Sequence, residues 1–245
     1  MPYLLIDKPA GITSHDVVDK IRRITGERTV GHAGTLDPFA TGLLIIGVGR
    51  ESTKHLSTFL GMDKTYEADI VIGATTETLD TESSIIDMSK KDGEPIVLTQ
   101  EQIESAIESF LGESMQTPPM HSAIKKDGKK MYELARQGKT VEIAARPITI
   151  REFKIIDPKW VGERVGIEAD PYGLPITIKT RITSSSGTYI RVIARDLGDK
   201  LGSGGYLSAL RRTAIGPYTV ENSRKLQELS PENWVDQAEK DMLLS

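Results

Sequence analysis

Residues 43–48, LLIIGV, form an apolar run set between Gly42 and Gly49. A run of that length bounded by glycines suggests a buried strand, and a buried strand needs others to pair its backbone with. Candidates recur along the chain. Residues 3–6 read as a short first strand, and residues 64–73 (KTYEADIVIG) alternate early on. β-Branched residues and alternation mark residues 148–156, 164–169 and 176–184. Residues 206–220 return to extended structure with a turn at Gly216-Pro217. Between these lie helical patterns. Ser14 is a plausible N-cap for a stripe of Val17, Val18, Ile21 and Ile24 that ends near Gly26. Thr99 and Gln102 make a capping-box pattern ahead of Ile103, Ile107, Phe110 and Leu111. A short helix is expected over residues 131–137, and another over 187–201 with Ile190, Ile193, Ala194 and Leu197 inward. Ser230-Pro231 reads as the opening of a last helix reaching about residue 243. Residues 74–95 are polar and acidic without periodicity, and read as an exposed connection. Long strands with scattered helices predict an α+β domain with a mainly antiparallel sheet.

Composition narrows the chemistry. At 245 residues the chain suits one sizeable core, alone or with a small appendage. It has no cysteine, which excludes disulfides, thiolate catalysis and cysteine-ligated zinc. The histidines are His15, His32, His55 and His121, with no HExxH, so no dedicated metal site is expected. The N-terminal apolar run breaks at Asp7, unlike a signal peptide, and no segment is apolar for long enough to span a bilayer. The cytoplasm is the expected compartment. A net charge of -4 argues against a protein that coats nucleic acid non-specifically. One stretch is nevertheless locally basic: Lys125, Lys126, Lys129, Lys130, Arg136, Lys139 and Arg146 stand against Asp127, Glu133 and Glu142. From charge alone it reads equally as a solvated surface loop.

The segment GHAGTLDPFATG is the most informative for chemistry. It holds one carboxylate, Asp37, between Leu36 and Pro38. Proline restricts the residue before it to extended geometry, and Gly31, Gly34 and Gly42 permit tight turns and close approach of another molecule. Asp-Pro is also an ordinary turn opening, so the loop by itself leaves a backbone-bonding role open. No GK[ST] follows the glycines, so this is not a nucleotide-binding P-loop.

GHAGTLDPFATGLL resembles the catalytic motif of the TruB family of tRNA pseudouridine synthases. LLIDKPAGITSHDVV is similar to that family's N-terminal motif, and KTYEADIVIG to its tyrosine motif. PPMHSAIKKDGKKMYELARQG resembles its RNA-gripping insertion. SSGTYIRVIARDLG resembles its arginine motif, and LSALRRTAIGPY the strand that follows. The blocks keep the family's order over most of residues 3–220. The resemblance implies the pseudouridine synthase fold, a mixed but mainly antiparallel sheet with flanking helices and a basic insertion at about 115–146. It implies a catalytic domain over residues 1–225. Residues 226–245 are expected to form a C-terminal helix, too short for the separate PUA domain that many members carry.

The implied activity is isomerisation of uridine 55 in the T-loop of tRNA to pseudouridine by base flipping. A C–N glycosidic bond breaks and a C–C bond forms, with no redox change, so no cofactor is expected. By resemblance Asp37 is the catalytic nucleophile; attack at the sugar C1′, at the base C6, or deprotonation of the sugar all stay open. Arg191 is the arginine that keeps that acid ionised, a task suited to a permanently charged guanidinium. Tyr66 packs on the target base, and its hydroxyl is placed to assist removal of the C5 proton. His32, Tyr189 and Leu210 are implied to line the base pocket, with Lys8 supporting the loop or approaching the RNA. Lys125, Lys126, Lys129, Lys130, Arg136, Lys139 and Arg211 are implied phosphate contacts, with Arg212 as a further contributor. The expected partner is the tRNA T-stem-loop, bound by a monomer. A scaffold that binds RNA without turnover, and a synthase acting on another RNA, are the competing readings. A glycosidase-like hydrolase is disfavoured because the loop offers one acid where such enzymes use a pair.

Overall fold

The computed structural model describes residues 1–119, 125–126, 129–130, 143–157 and 175–240. The strand expected at 164–169 and the helix expected at 131–137 lie outside those residues. The chain forms two compact units, Met1–Ala68 with Ala209–Ser245, and Asp69–Ser208.

In the first unit the LLIIGV run becomes most of β3 (Thr41–Val48). β1 (Pro2–Lys8) lies antiparallel to it, with Tyr3 opposite Gly47 and Lys8 opposite Gly42. β2 (Val30–His32), a strand too short to read from the sequence, is also antiparallel to β3. β3 is buried on both faces. Leu44, Ile46 and Val48 pack with Leu4, Ile6, and Val17, Val18 and Ile21 of helix α1 (Ser14–Thr25). Leu43 and Ile45 turn the other way, onto Tyr3, Leu5, Leu56 and Phe59. The last two belong to α3 (Leu56–Gly61), which follows the short α2 (Arg50–Lys54). Each such buried side chain contributes about 1.5–3 kcal/mol.

α1 begins one residue earlier than the sequence suggests. Thr13, not Ser14, is the N-cap: its hydroxyl accepts from the Asp16 N–H, and the Asp16 carboxylate accepts from the Thr13 N–H. That releases the Ser14 hydroxyl for another partner. Gly26 then ends the helix in the left-handed conformation, φ 70°.

β4 (Lys64–Ile72) carries the chain into the second unit, which contains the hairpin of β5 (Ala74–Thr76) and β6 (Ile85–Asp87). Residues 74–95 are therefore not the featureless connection expected; the hairpin pairs a stretch whose exposed face hides the alternation. α4 (Gln100–Glu108) has the capping box read from Thr99 and Gln102, with Ile103 and Ile107 buried. Phe110 and Leu111 fall beyond its end, and Leu111 is exposed. The antiparallel set β7 (Gly112–Gln116), β8 (Arg146–Ile155) and β9 (Ile176–Ser184) follows, with a bulge in β8 between Ile150 and Glu152. α5 (Ile190–Lys200) buries Ile190, Ile193, Ala194 and Leu197, as its stripe predicts.

β10 (Gly205–Ile215) returns the chain to the first unit, where Arg211 and Arg212 pair in parallel with Thr41 and Gly42. Gly42 has φ 102°, and a Cβ there would sit 2.2 Å from the Arg212 carbonyl, so only glycine allows this approach. β11 (Tyr218–Thr219) folds back on β10 across the expected Gly216-Pro217 turn. The long C-terminal helix expected after Ser230 is not formed. Its helical part is one turn, α6 (Trp234–Gln237), and Glu239–Lys240 pairs antiparallel with Pro2 and Tyr3 of β1. The open edge of β1 offers backbone partners that outweigh a local helical preference. Among the described residues no helix is long and apolar enough to cross a membrane.

Candidate active site

The loop bearing Asp37 follows β2 and is fixed through its backbone at successive residues. The Ala33 N–H donates to the Ile45 carbonyl at 2.9 Å. Arg212 Nη2 donates to the Gly34 carbonyl at 3.0 Å. The Ser14 hydroxyl takes the Leu36 N–H at 2.8 Å and donates to the Leu36 carbonyl at 3.1 Å, so one buried side chain satisfies both groups of the residue before Asp37. The Pro38 carbonyl accepts from the Gly11 N–H at 2.9 Å and from Lys8 Nζ at 3.3 Å. The Asp37 carbonyl closes a turn onto the Ala40 N–H at 3.1 Å. Gly34 uses the left-handed conformation that the sequence anticipates, φ 92°. Gly31 instead lies in β2, where a Cβ would sit 2.9 Å from Leu56 Cδ1.

Two buried cations, Lys8 and Arg212, donate to this loop, and a third, Lys64, is buried in the same unit. Lys8 is fully buried, its ammonium shared among the carbonyls of Pro9, Ile12 and Pro38. Burial pushes its pKa down to about 8, while the charge of Asp37 works against the shift. Lys64 is held likewise by the carbonyls of Phe59, Leu60 and Met62, and burial pushes it down to about 8. Arg212, 1% exposed, also donates from Nε to the Leu43 carbonyl at 2.8 Å. Tyr66 is buried on β4. His32 has a buried Nδ1 with no hydrogen-bond partner among the described residues. Burial first, then the charges of Arg212 and His15, lower its pKa and keep the ring neutral near pH 7. Leu210 is buried on β10.

Arg211 lies at a partly open surface. Its guanidinium makes a two-pronged pair with the Asp7 carboxylate, at 2.9 and 2.8 Å. Lys125 and Lys126 pair in an antiparallel ladder with Lys130 and Lys129. Arg136 and Lys139 lie outside the described residues.

In the second unit, Arg191 is the second residue of α5 and almost wholly buried. Its Nη1 donates to the Thr78 carbonyl at 2.8 Å and stands 3.3 Å from Asp80 Oδ2. Asp80 is 2% exposed, and its Oδ1 accepts from the Thr78 hydroxyl at 2.5 Å and the Glu82 N–H at 2.9 Å. Leu79, between them, has φ 62°, a strained backbone for a branched residue. Tyr189, the N-cap residue of α5, is held by Gln116: its N–H donates to Oε1 at 2.8 Å and its carbonyl accepts from Nε2 at 3.2 Å. Sequence reasoning missed Ser14, Asp80 and Gln116, and placed Arg212 only as a possible addition to the RNA surface. Of these, only Asp80 stood in a stretch the sequence left unexplained, the polar and acidic residues 74–95.

Two family models match the chain. One, described as the TruB family pseudouridylate synthase N-terminal domain, covers residues 22–190. The other, a tRNA pseudouridylate synthase B C-terminal domain, covers residues 191–245. Among curated proteins, tRNA pseudouridine synthase B of Thermobifida fusca is 44% identical over 229 residues, 94% of this chain and 74% of that protein. The enzyme of the same name from Corynebacterium efficiens is 45% identical over 226 residues, 92% of this chain and 71% of that protein. Among solved structures, a Cbf5-Nop10-Gar1 complex contains a chain with TM-score 0.64 and 25% identity. The match covers 92% of this chain and about half of that one, 52%. An H/ACA RNP bound to a substrate RNA containing 2'-deoxyuridine shares the fold, with TM-score 0.64 at 22% identity. The α+β fold and these matches define a pseudouridylate synthase. The chain belongs to the TruB family.

Proposed function

We propose that this protein isomerises uridine 55 in the T-loop of tRNA to pseudouridine, with Asp37 as the nucleophile. The relatives that match 92–94% of the chain carry the name tRNA pseudouridine synthase B, which supports the substrate. The observation that carries the assignment of Asp37 is its loop. The backbone is pinned at Gly34, at both polar groups of Leu36 and at Pro38, so the main chain from which the Asp37 carboxylate projects is held in place. Such placement is what a reaction within a bound nucleotide demands, because the acid must meet a single carbon of the substrate.

The target base leaves its stack before reaction, at a cost of a few kcal/mol, and is received by side chains that replace the lost stacking. Tyr66 stacks on it, His32, Tyr189 and Leu210 line its place, and Lys8 fixes the loop beneath. Arg191 supplies the charge that keeps the Asp37 carboxylate ionised. The C1′–N1 bond then breaks, uracil turns, C1′ bonds to C5, and the C5 proton is removed with help from the Tyr66 hydroxyl while N1 takes up a proton; any bond that Asp37 formed to the nucleotide breaks again, so the acid is regenerated. Lys125, Lys126, Lys129, Lys130, Arg136, Lys139 and Arg211 hold phosphates. The protein works in the cytoplasm as a monomer.

The test is incubation of unmodified tRNA with the purified protein, followed by mapping of pseudouridine. One new pseudouridine at position 55 is expected, and none with Asp37→Ala at equal tRNA affinity. A product formed equally well by Asp37→Ala removes the acid from the mechanism. Binding without product by the wild-type chain establishes an RNA-binding scaffold instead.

A further inference from the structure

The helix that carries Arg191 opens without a local cap. The N-cap residue of α5 is Tyr189, and its side chain makes no capping hydrogen bond. In a capping box the third helical residue reaches back to the N-cap N–H. That residue here is Val192, whose side chain has no polar atom to offer. Gln116 takes over the task from a distant strand. Its Oε1 accepts from the Tyr189 N–H at 2.8 Å, and its Nε2 donates to the Tyr189 carbonyl at 3.2 Å. The same carbonyl accepts from the N–H groups of Val192 and Ile193, at 3.1 and 3.2 Å, so the amide is built into the first turn. Gln116 is 3% exposed, and the two backbone groups it meets require one acceptor and one donor on the same side chain. A carboxylate lacks the donor, and an apolar side chain lacks both.

Gln116 is also the last residue of β7, where it pairs with Arg146, the first residue of β8. The basic segment between them leaves the sheet and returns to it through that pair. We propose that Gln116 is a positioning residue for the isomerisation, an amide that fixes the turn bearing Tyr189 and Arg191 to the foot of the basic segment. The proposal rests on the reading that Tyr189 and Arg191 serve the reaction. Gln116 does not touch the substrate; it acts through the start of α5. A cation in the first turn meets the positive end of the helix dipole, so the charge of Arg191 does nothing to steady that turn. The amide supplies what the local sequence withholds.

Single-turnover rates at saturating tRNA test this. Gln116→Met should fold, retain tRNA affinity within about twofold, and react on the order of tenfold more slowly. Gln116→Glu separates positioning from packing. Its acid form can accept from the Tyr189 N–H and donate to the Tyr189 carbonyl, whereas its carboxylate form has no donor. Relative to the wild type, Gln116→Glu should therefore react faster at about pH 6 than at about pH 8.5, and at the lower pH it should outpace Gln116→Met. A wild-type rate in Gln116→Met overturns the proposal, as does a Gln116→Glu rate no higher than that of Gln116→Met in acid. If Gln116→Met fails to fold, the ratio of Gln116→Glu to wild type at the two pH values decides, and an unchanged ratio overturns the proposal. A purely structural role predicts a lower melting temperature with a wild-type rate in the folded fraction. If the wild-type chain forms no pseudouridine, the functional reading itself fails; a full-rate Gln116→Met in an active enzyme fails only the role of Gln116.

Discussion

Asp37 and Arg191, the two charged groups assigned to the reaction, are positioned by opposite means. Asp37 is placed through the main chain on either side of it, by a hydroxyl, an ammonium and a guanidinium that donate to carbonyls of its loop. Arg191 is placed through its own nitrogen, by the carboxylate of Asp80 and the carbonyl of Thr78. The difference is instructive. Main-chain anchoring fixes where the backbone of an acid stands, so losing one anchor should loosen geometry. Side-chain anchoring couples the cation to a buried partner charge, so losing either member leaves the other stranded.

The strongest break between the two regions is expected at Arg191→Leu. Turnover should fall by at least about a thousandfold. Stability should drop by about 3–5 kcal/mol, since Asp80 is left buried without its cation. Adding Asp80→Leu should restore much of the stability in urea unfolding and none of the turnover. Recovery of activity in the double variant would reduce the corner to a structural pair.

Tyr66→Phe sharpens the first region. tRNA affinity should persist while the single-turnover rate slows by about a hundredfold, the range of a lost proton-transfer group. An unchanged rate would assign Tyr66 to stacking alone.

Ser14→Ala removes a hydroxyl that satisfies both the N–H and the carbonyl of Leu36. Unfolding free energy should fall by about 1–3 kcal/mol, with a partial loss of turnover that tracks the loosened loop. Full activity at reduced stability would show that the loop holds its shape without this bond.

The smallest effect is one of pH. Lys8 and Lys64 have folded pKa values near 8, below the 10.5 of an open chain, chiefly through burial. Between those values the unfolded chain holds more protons, so these groups make stability rise as pH climbs from about 8 toward 10.5. Urea unfolding across that window should show a flatter slope for Lys64→Met than for the wild type. An unaltered slope would mean that the carbonyls around Lys64 keep it charged.

Features set by neighbours in sequence were legible from it. The buried run of β3, the strands β1, β4 and β9, the stripe of α5 and the Thr99–Gln102 box all depend on contacts within a few residues. Asp37, Tyr66 and Arg191 were picked out through motifs resembling those of a known family. Their supports were not legible, because each reaches far along the chain. Ser14 meets Leu36 across 22 residues, Gln116 meets Tyr189 across 73, Arg191 meets Thr78 across 113, and Arg212 meets Gly34 across 178. The C-terminal helix failed for the same cause: β1's edge, two hundred and more residues earlier, competes for that backbone.

Arg211 and Arg212 separate the two kinds of information. By itself the sequence determined that two adjacent arginines on a strand point to opposite faces, since side chains alternate along an extended backbone. It held nothing to say which face was the interior. The tertiary structure decided that, turning Arg211 toward Asp7 at a partly open surface and Arg212 into the interior, onto the Gly34 carbonyl. Local geometry follows from the covalent chain, whereas the partner of a buried charge is chosen only when distant segments close around it.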